Sequence, residues 1–117
     1  MRTSDRKLNP SLKRQIIKTL AQTLADFKNL NEGETFLNNF FTDAEIETFA
    51  KRLAIAYWLK KGRSYSNIRE NLKVSSATIA DVSSLLNNPG FSLAIKKIEA
   101  EEWANQWADK IKKFIGE

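Results

Sequence analysis

The sequence predicts an all-α protein of about six helices, with a helix-turn-helix near residues 64–87. Three observations predict it. Only four Gly and two Pro occur in 117 residues, which leaves little loop and favours long helices with short connections. Apolar residues recur at spacings of three and four over most of the chain, the period of one helix face. Cap signals such as Asn-Pro, Thr-Asp-Ala-Glu and Lys-Lys-Gly divide that pattern into segments. The length fits one domain with a modest core. Residues 1–8 read as a flexible basic N-terminal tail, and residues 9–117 as a single helical domain.

Asn9-Pro10 reads as N-cap and first helical residue, because proline's fixed φ and missing N–H suit a helix start. Leu12, Ile16, Leu20, Leu24 and Phe27 follow, widened by Ile17 and Ala21, so an amphipathic helix is expected to end near Asn29. Asn31-Glu32-Gly33 reads as a turn. A short apolar helix then runs from about Glu34 through Phe36, Leu37, Phe40 and Phe41, its aromatics serving a core or a subunit interface. Thr42-Asp43-Ala44-Glu45 is a capping box, with Phe41 and Ile46 placed as a hydrophobic staple. The helix it opens carries Phe49, Leu53, Ile55, Ala56 and Leu59. It stops at Lys60-Lys61-Gly62, cations at the negative end followed by glycine.

Two short helices come next. One runs from Ser64 as N-cap through Ile68 to Leu72. The other starts at Ser75 or Ser76 and carries Ile79, Val82 and Leu86 on one face. Asn87-Asn88-Pro89-Gly90 reads as a break. The last helix is expected from about Phe91 to Phe114, with Ile95, Ile98, Trp103, Trp107, Ile111 and Phe114 as its stripe.

Composition excludes several chemistries. There is no Cys and no His, so disulfides, thiol or imidazole nucleophiles and Cys/His zinc sites are absent. The acidic pairs Glu45/Glu47 and Glu101/Glu102 are better explained by capping and solvated faces than by acid–base catalysis. No metal, cofactor or catalysis is expected. No apolar run is long enough to span a bilayer, and Met1 to Leu8 is basic without an apolar stretch behind it. A soluble cytoplasmic protein is therefore expected, associated with the nucleoid if bound to DNA.

Net charge is +5, and its distribution is uneven. Residues 1–50 carry seven bases and seven acids; residues 98–117 carry three bases and five acids. Residues 51–97 carry nine bases against Glu70 and Asp81 alone, a net of +7. That basic middle contains the two short helices. Their apolar positions (Ile68, Leu72, Val74, Ile79, Val82) fit a helix-turn-helix whose second helix can enter a major groove. Ser75, Ser76, Thr78, Ala80 and Ser83 would face solvent, small enough for close approach to base edges and phosphates.

The stretch from Phe41-Thr-Asp-Ala-Glu-Ile-Glu-Thr-Phe-Ala-Lys-Arg-Leu to Asn88 resembles the Trp repressor superfamily. Gly62-Arg63-Ser64-Tyr65 and Val74-Ser75-Ser76-Ala77-Thr78-Ile79 are most similar to its YerC/YecD branch of small DNA-binding regulators. The resemblance covers roughly residues 34–95. It implies a Trp repressor-like fold and an intertwined homodimer, in which the first helices and the last helix of each subunit pack on the other. It implies that Ser76, Ala77, Thr78 and Ala80 enter the major groove, beside Ser75, and that Arg69 contacts phosphate. It places Lys73 at a left-handed turn position usually held by Gly, at a cost of roughly 1 kcal/mol.

The same resemblance argues against tryptophan. Thr42 and Arg52 match residues that line the family's ligand pocket. The arginine that pairs with the ligand carboxylate aligns with Asp81, the glycine that admits the indole with Val82, and a pocket serine with Leu85. The expected partners are double-stranded DNA and a second copy of the chain. Lys60, Lys61, Arg63, Arg69 and Lys73 are expected to supply phosphate contacts. Because Ala80 to Ser84 contains no Lys or Arg, Arg-to-guanine readout is missing from the second helix, and weak specificity with strong salt dependence is expected. The alternative is a helical interaction or dimerisation module that no longer reads DNA, motivated by Asp81 and by Glu99 to Glu102.

Overall fold

The computed structural model describes the backbone of residues 6–114 and the side chains of residues 6–106. Its six helices are α1 (Pro10–Ala25), α2 (Leu30–Phe40), α3 (Asp43–Lys60), α4 (Tyr65–Leu72), α5 (Ser76–Ser83) and α6 (Pro89–Phe114). No strand occurs among the described residues. The all-α expectation holds. Helices are grouped in two compact units, the first ending at Ile46 and the second beginning at Glu47. Residues 1–5 of the N-terminal tail, and the side chains of Trp107, Ile111 and Phe114, lie outside the described residues.

In the first unit, the Asn9 side chain accepts the N–H groups of Ser11 and Leu12 at 2.9 and 3.2 Å, with Pro10 behind it as expected. The helix α1 stops at Ala25, short of the expected Asn29. Asn29 instead caps α2, from extended backbone: its side chain accepts the Glu32 N–H at 2.9 Å, and the Glu32 carboxylate accepts the Lys28 N–H at 2.9 Å. The expected Asn31-Glu32-Gly33 turn is therefore the first turn of α2. Two reciprocal hydrogen bonds outweigh the modest cost of glycine inside a helix. Phe36 lies 5.1 Å from Phe27, 4.7 Å from Phe40 and 6.0 Å from Phe41, ring centre to ring centre. The capping box forms as expected: Thr42 N–H donates to Glu45 Oε1 at 2.9 Å, and Glu45 N–H donates to Thr42 Oγ1 at 3.1 Å. The Thr42 backbone N–H first, and the Thr42 hydroxyl second, favour the ionised carboxylate and hold the Glu45 pKa below its ordinary value.

The second unit opens within α3. That helix ends in a Schellman motif: Arg63 N–H reaches the Trp58 carbonyl and Gly62 N–H the Leu59 carbonyl, both at 3.0 Å. Gly62 sits at φ 83°, the left-handed region the motif requires. The core is Ile55, Ala56, Ile68, Ile79, Val82 and Ile95, with Trp58, Leu59, Leu72, Val74, Leu86 and Phe91 packed around it. Phe49 and Leu53, on the same helix, stay exposed.

Two boundaries differ from expectation. Helix α5 ends at Ser83, and Leu86 reaches the core from a run of three-residue turns, with Leu85 N–H bonded to the Val82 carbonyl at 2.9 Å. Helix α6 begins at Pro89 rather than Phe91, and Ser92 N–H donates to the Asn88 carbonyl at 3.1 Å. Asn88-Pro89 thus repeats the logic of Asn9-Pro10, with proline in the first turn where no N–H is needed.

Candidate nucleic-acid interface

Helices α4 and α5 form the helix-turn-helix. Ile68 and Ile79 are fully buried between them and α3, and Val82 is nearly so. Between the helices, Lys73 adopts φ 55°, ψ 52°, the left-handed conformation expected at that position. Its N–H closes on the Arg69 carbonyl at 3.0 Å, which ends α4 and redirects the chain. Ser64 caps α4 by accepting the Asn67 N–H at 3.1 Å. Of the two candidate caps for α5, Ser75 holds the position. Its hydroxyl accepts the Thr78 N–H at 3.1 Å and lies 3.0 Å from the Thr78 hydroxyl.

The first turn of α5 is thereby divided. Ser75 and Thr78 are tied to each other, while Ser76, Ala77 and Ala80 are exposed on the outer surface with Asp81. Arg69 reaches across the turn: Nη1 donates to Ser76 Oγ at 2.8 Å and Nη2 to Ser66 Oγ at 3.4 Å. The guanidinium therefore sits at the N-terminus of α5, where unsatisfied N–H groups already favour an anion.

The other cations are engaged to different degrees. Arg63 stacks over the Trp58 ring at 4.0 Å and donates to Asn67 Oδ1 at 3.3 Å. Lys61 is drawn to Glu102 of α6, with Nζ 3.6 Å from Oε2 and 5.4 Å from the Tyr57 ring centre. The other Glu102 oxygen accepts the Tyr57 hydroxyl. This bond, followed by desolvation, raises the Tyr57 pKa; the Tyr57 and Glu102 charges raise that of Lys61. Lys60 and Lys73 are exposed at the ends of α3 and α4. Sequence reasoning missed Ser66 and gave Glu102 only to a solvated face. The alternation of Lys and Glu along α6 was visible, but nothing local links Glu102 to a tyrosine 45 residues away.

Thr42 and Arg52 have separate settings. The Thr42 hydroxyl is occupied in the capping box. Arg52 lies 5.8 Å from the Phe49 ring centre and lines a cavity of about 260 Å³ with Thr48, Lys51, Ile55, Val74, Thr78 and Val82. Arg52 also lines an open, mostly apolar depression of about 320 Å³ with Phe49, Leu53, Gly90, Phe91 and Ala94. Val82, 4 % exposed, fills space where a glycine would leave room. Among the described residues, no group of three or more acidic side chains could hold a metal ion.

Residues 15–99 match the family model described as Trp repressor protein. The chain belongs to the Trp repressor family. Within that family it is similar to the uncharacterized protein YerC of Bacillus subtilis (strain 168), 31% identical over 85 residues, or 71% of this chain and 82% of that protein. A solved TrpR-like protein from Eubacterium eligens superposes with a TM-score of 0.69 at 31% identity, covering 78% of this chain and 96% of that one. The pair α4–α5 is thus a helix-turn-helix in a Trp repressor-like, YerC-like fold. Glu102 lies beyond the stretch that the family model matches.

Proposed function

We propose that this Trp repressor family member is a DNA-binding transcriptional regulator that works as a homodimer, without catalysis and without tryptophan as corepressor. The observation that carries the reading is the α5 N-terminus: a capped, exposed helix start with Arg69 held beside it. Ser76, Ala77, Thr78 and Ala80 are assigned to the major groove. Arg69, Lys73 and Lys60 are assigned to phosphate, as are Lys61 and Arg63 once released from their intramolecular partners. In a dimer, two copies of α5 would enter successive major grooves about 34 Å apart.

Apolar surface supports the dimer. On α1, the side chains of Leu12, Ile16, Ile17, Leu20 and Leu24 are all exposed, and Leu30 at the start of α2 is 77% exposed. A second copy is the partner of choice for such a face. Asp81, Val82 and Leu85 support the exclusion of tryptophan, since an acid repels a carboxylate and bulk fills the indole's place. No helix among the described residues is long and apolar enough to cross a membrane, and a cytoplasmic, nucleoid-associated protein suits the proposed activity.

A salt titration on random duplex DNA tests the reading. Wild type is expected to bind at about 50 mM salt with steep salt dependence, and Arg69→Ala/Lys73→Ala to lose affinity with a slope shallower by up to about 4, two contacts in each of two protomers. Undetectable wild-type binding would overturn it. That outcome would select the second reading, a helical interaction module, which exposed Asp81 on α5 favours. Calorimetry with L-tryptophan is expected to give no heat above dilution.

A further inference from the structure

We propose that Glu102 is a positioning residue for DNA binding, an internal competitor that holds the Lys61 ammonium away from phosphate. This rests on the DNA-binding reading above and deepens it.

The observations concern one cleft of about 490 Å³, lined by Tyr57, Trp58, Lys61, Arg63, Glu102 and two amides of α6. Glu102 is not a loose surface acid. One carboxylate oxygen accepts the Tyr57 hydroxyl, and the other lies 3.6 Å from Lys61 Nζ. The Tyr57 ring supports the same ammonium at 5.4 Å, so two groups, one from α3 and one from α6, converge on one charge. Lys61 follows directly on Lys60 and precedes α4, at the entry to the helix-turn-helix. Its charge is counted in the basic segment, but its nearest anion belongs to the protein itself.

The arrangement is built to yield. The Lys61 and Glu102 side chains are 47% and 44% exposed, so water and salt screen the pair and a DNA phosphate can displace the carboxylate. Each phosphate contact releases about 0.9 of a counterion. A lysine held by Glu102 contributes less than that until the exchange occurs. Removing the carboxylate therefore raises both affinity and salt slope, whereas removing an acid that holds no lysine changes neither by much.

The experiment is a salt titration on random duplex DNA with the full chain, comparing wild type, Glu102→Gln, Glu101→Gln and Lys61→Met/Glu102→Gln. Glu102→Gln is expected to bind about fivefold tighter at about 50 mM salt, with a slope steeper by up to about 1.8 for the dimer, about 0.9 for each protomer. Glu101→Gln, which removes the same formal charge one residue away, is expected to stay within about twofold. The double variant is expected to lose the added slope. Equal gains from Glu102→Gln and Glu101→Gln, or an unchanged slope in Glu102→Gln, would overturn the proposal while leaving the DNA-binding reading intact. Absence of wild-type binding would overturn that reading and this inference with it. If Glu102→Gln loses helix content by circular dichroism, Glu102→Ala, which keeps a strong helix former in α6, takes its place with the same expected gain in affinity and slope, and no gain overturns the proposal.

Discussion

Among the described residues, the unit that begins at Glu47 closes six apolar side chains away from solvent, and the unit that ends at Ile46 closes none. Both contain amphipathic helices with apolar stripes, so the pattern alone does not account for the difference. In the second unit, α3, α4, α5 and α6 each contribute to one cluster, and Ile55, Ile68 and Ile79 are covered from several sides. In the first unit, α1 shows its stripe to solvent, and Phe27, Phe36, Phe40 and Phe41 form a chain of ring contacts with one another. An apolar helix face stabilises a fold only when another surface covers it. One unit holds its cover within itself; the other presents a face suited to a second copy.

Four measurements break or sharpen this contrast. The largest effect is expected at the closed core: Ile68→Ala removes a fully buried side chain and should cost about 2–5 kcal/mol by urea denaturation. A charge on the open face comes next. Leu20→Glu, at a position 38% exposed, should leave helix content intact and shift sedimentation from dimer to folded monomer. A wild type that sediments as a monomer would overturn the contrast as drawn.

Smaller effects belong to single backbone positions. Lys73→Gly relieves a left-handed residue at φ 55° and should raise stability by about 0.5–1 kcal/mol in the same assay. Removal of the capping box should give the smallest change, visible chiefly in its pH dependence. The Glu45 pKa is lowered in the folded state by Thr42. Its contribution is therefore present above the ordinary glutamate range and lost as pH falls through the lowered value. Glu45→Gln should lose that part of the acid dependence of the melting temperature, and an unchanged acid limb would show that the box contributes nothing.

Much of the fold was legible because its signals are local. Asn9, Thr42, Ser64 and Gly62 each end or begin a helix through hydrogen bonds to neighbours within five residues, and residue identity at close spacing is what such bonds require. Ile68, Leu72, Val74, Ile79 and Val82 were readable as the inner face of the helix-turn-helix by their spacing alone. The boundaries that shifted were also local, but two signals competed. Asn29 fitted a helix end as well as a cap, and Pro89 fitted a break as well as a first turn. At Asn29 the capping of a first-turn N–H decided the outcome, and at Pro89 the fit of proline's fixed φ and missing N–H to a first turn did.

By itself, then, the sequence determined most of the helices, their caps and the basic middle segment, and the family resemblance added the left-handed turn at Lys73. Only the tertiary structure decided which of those charges are engaged: Arg69 by Ser66 and Ser76, Arg63 by Trp58, and Lys61 by Glu102. It also decided that Ile55 is closed off while Leu53, two residues earlier on the same helix, is 41% exposed. The physical reason is range. A cap acts over one turn and can be read from adjacent letters, whereas an ion pair or a buried face depends on which distant helix packing brings alongside.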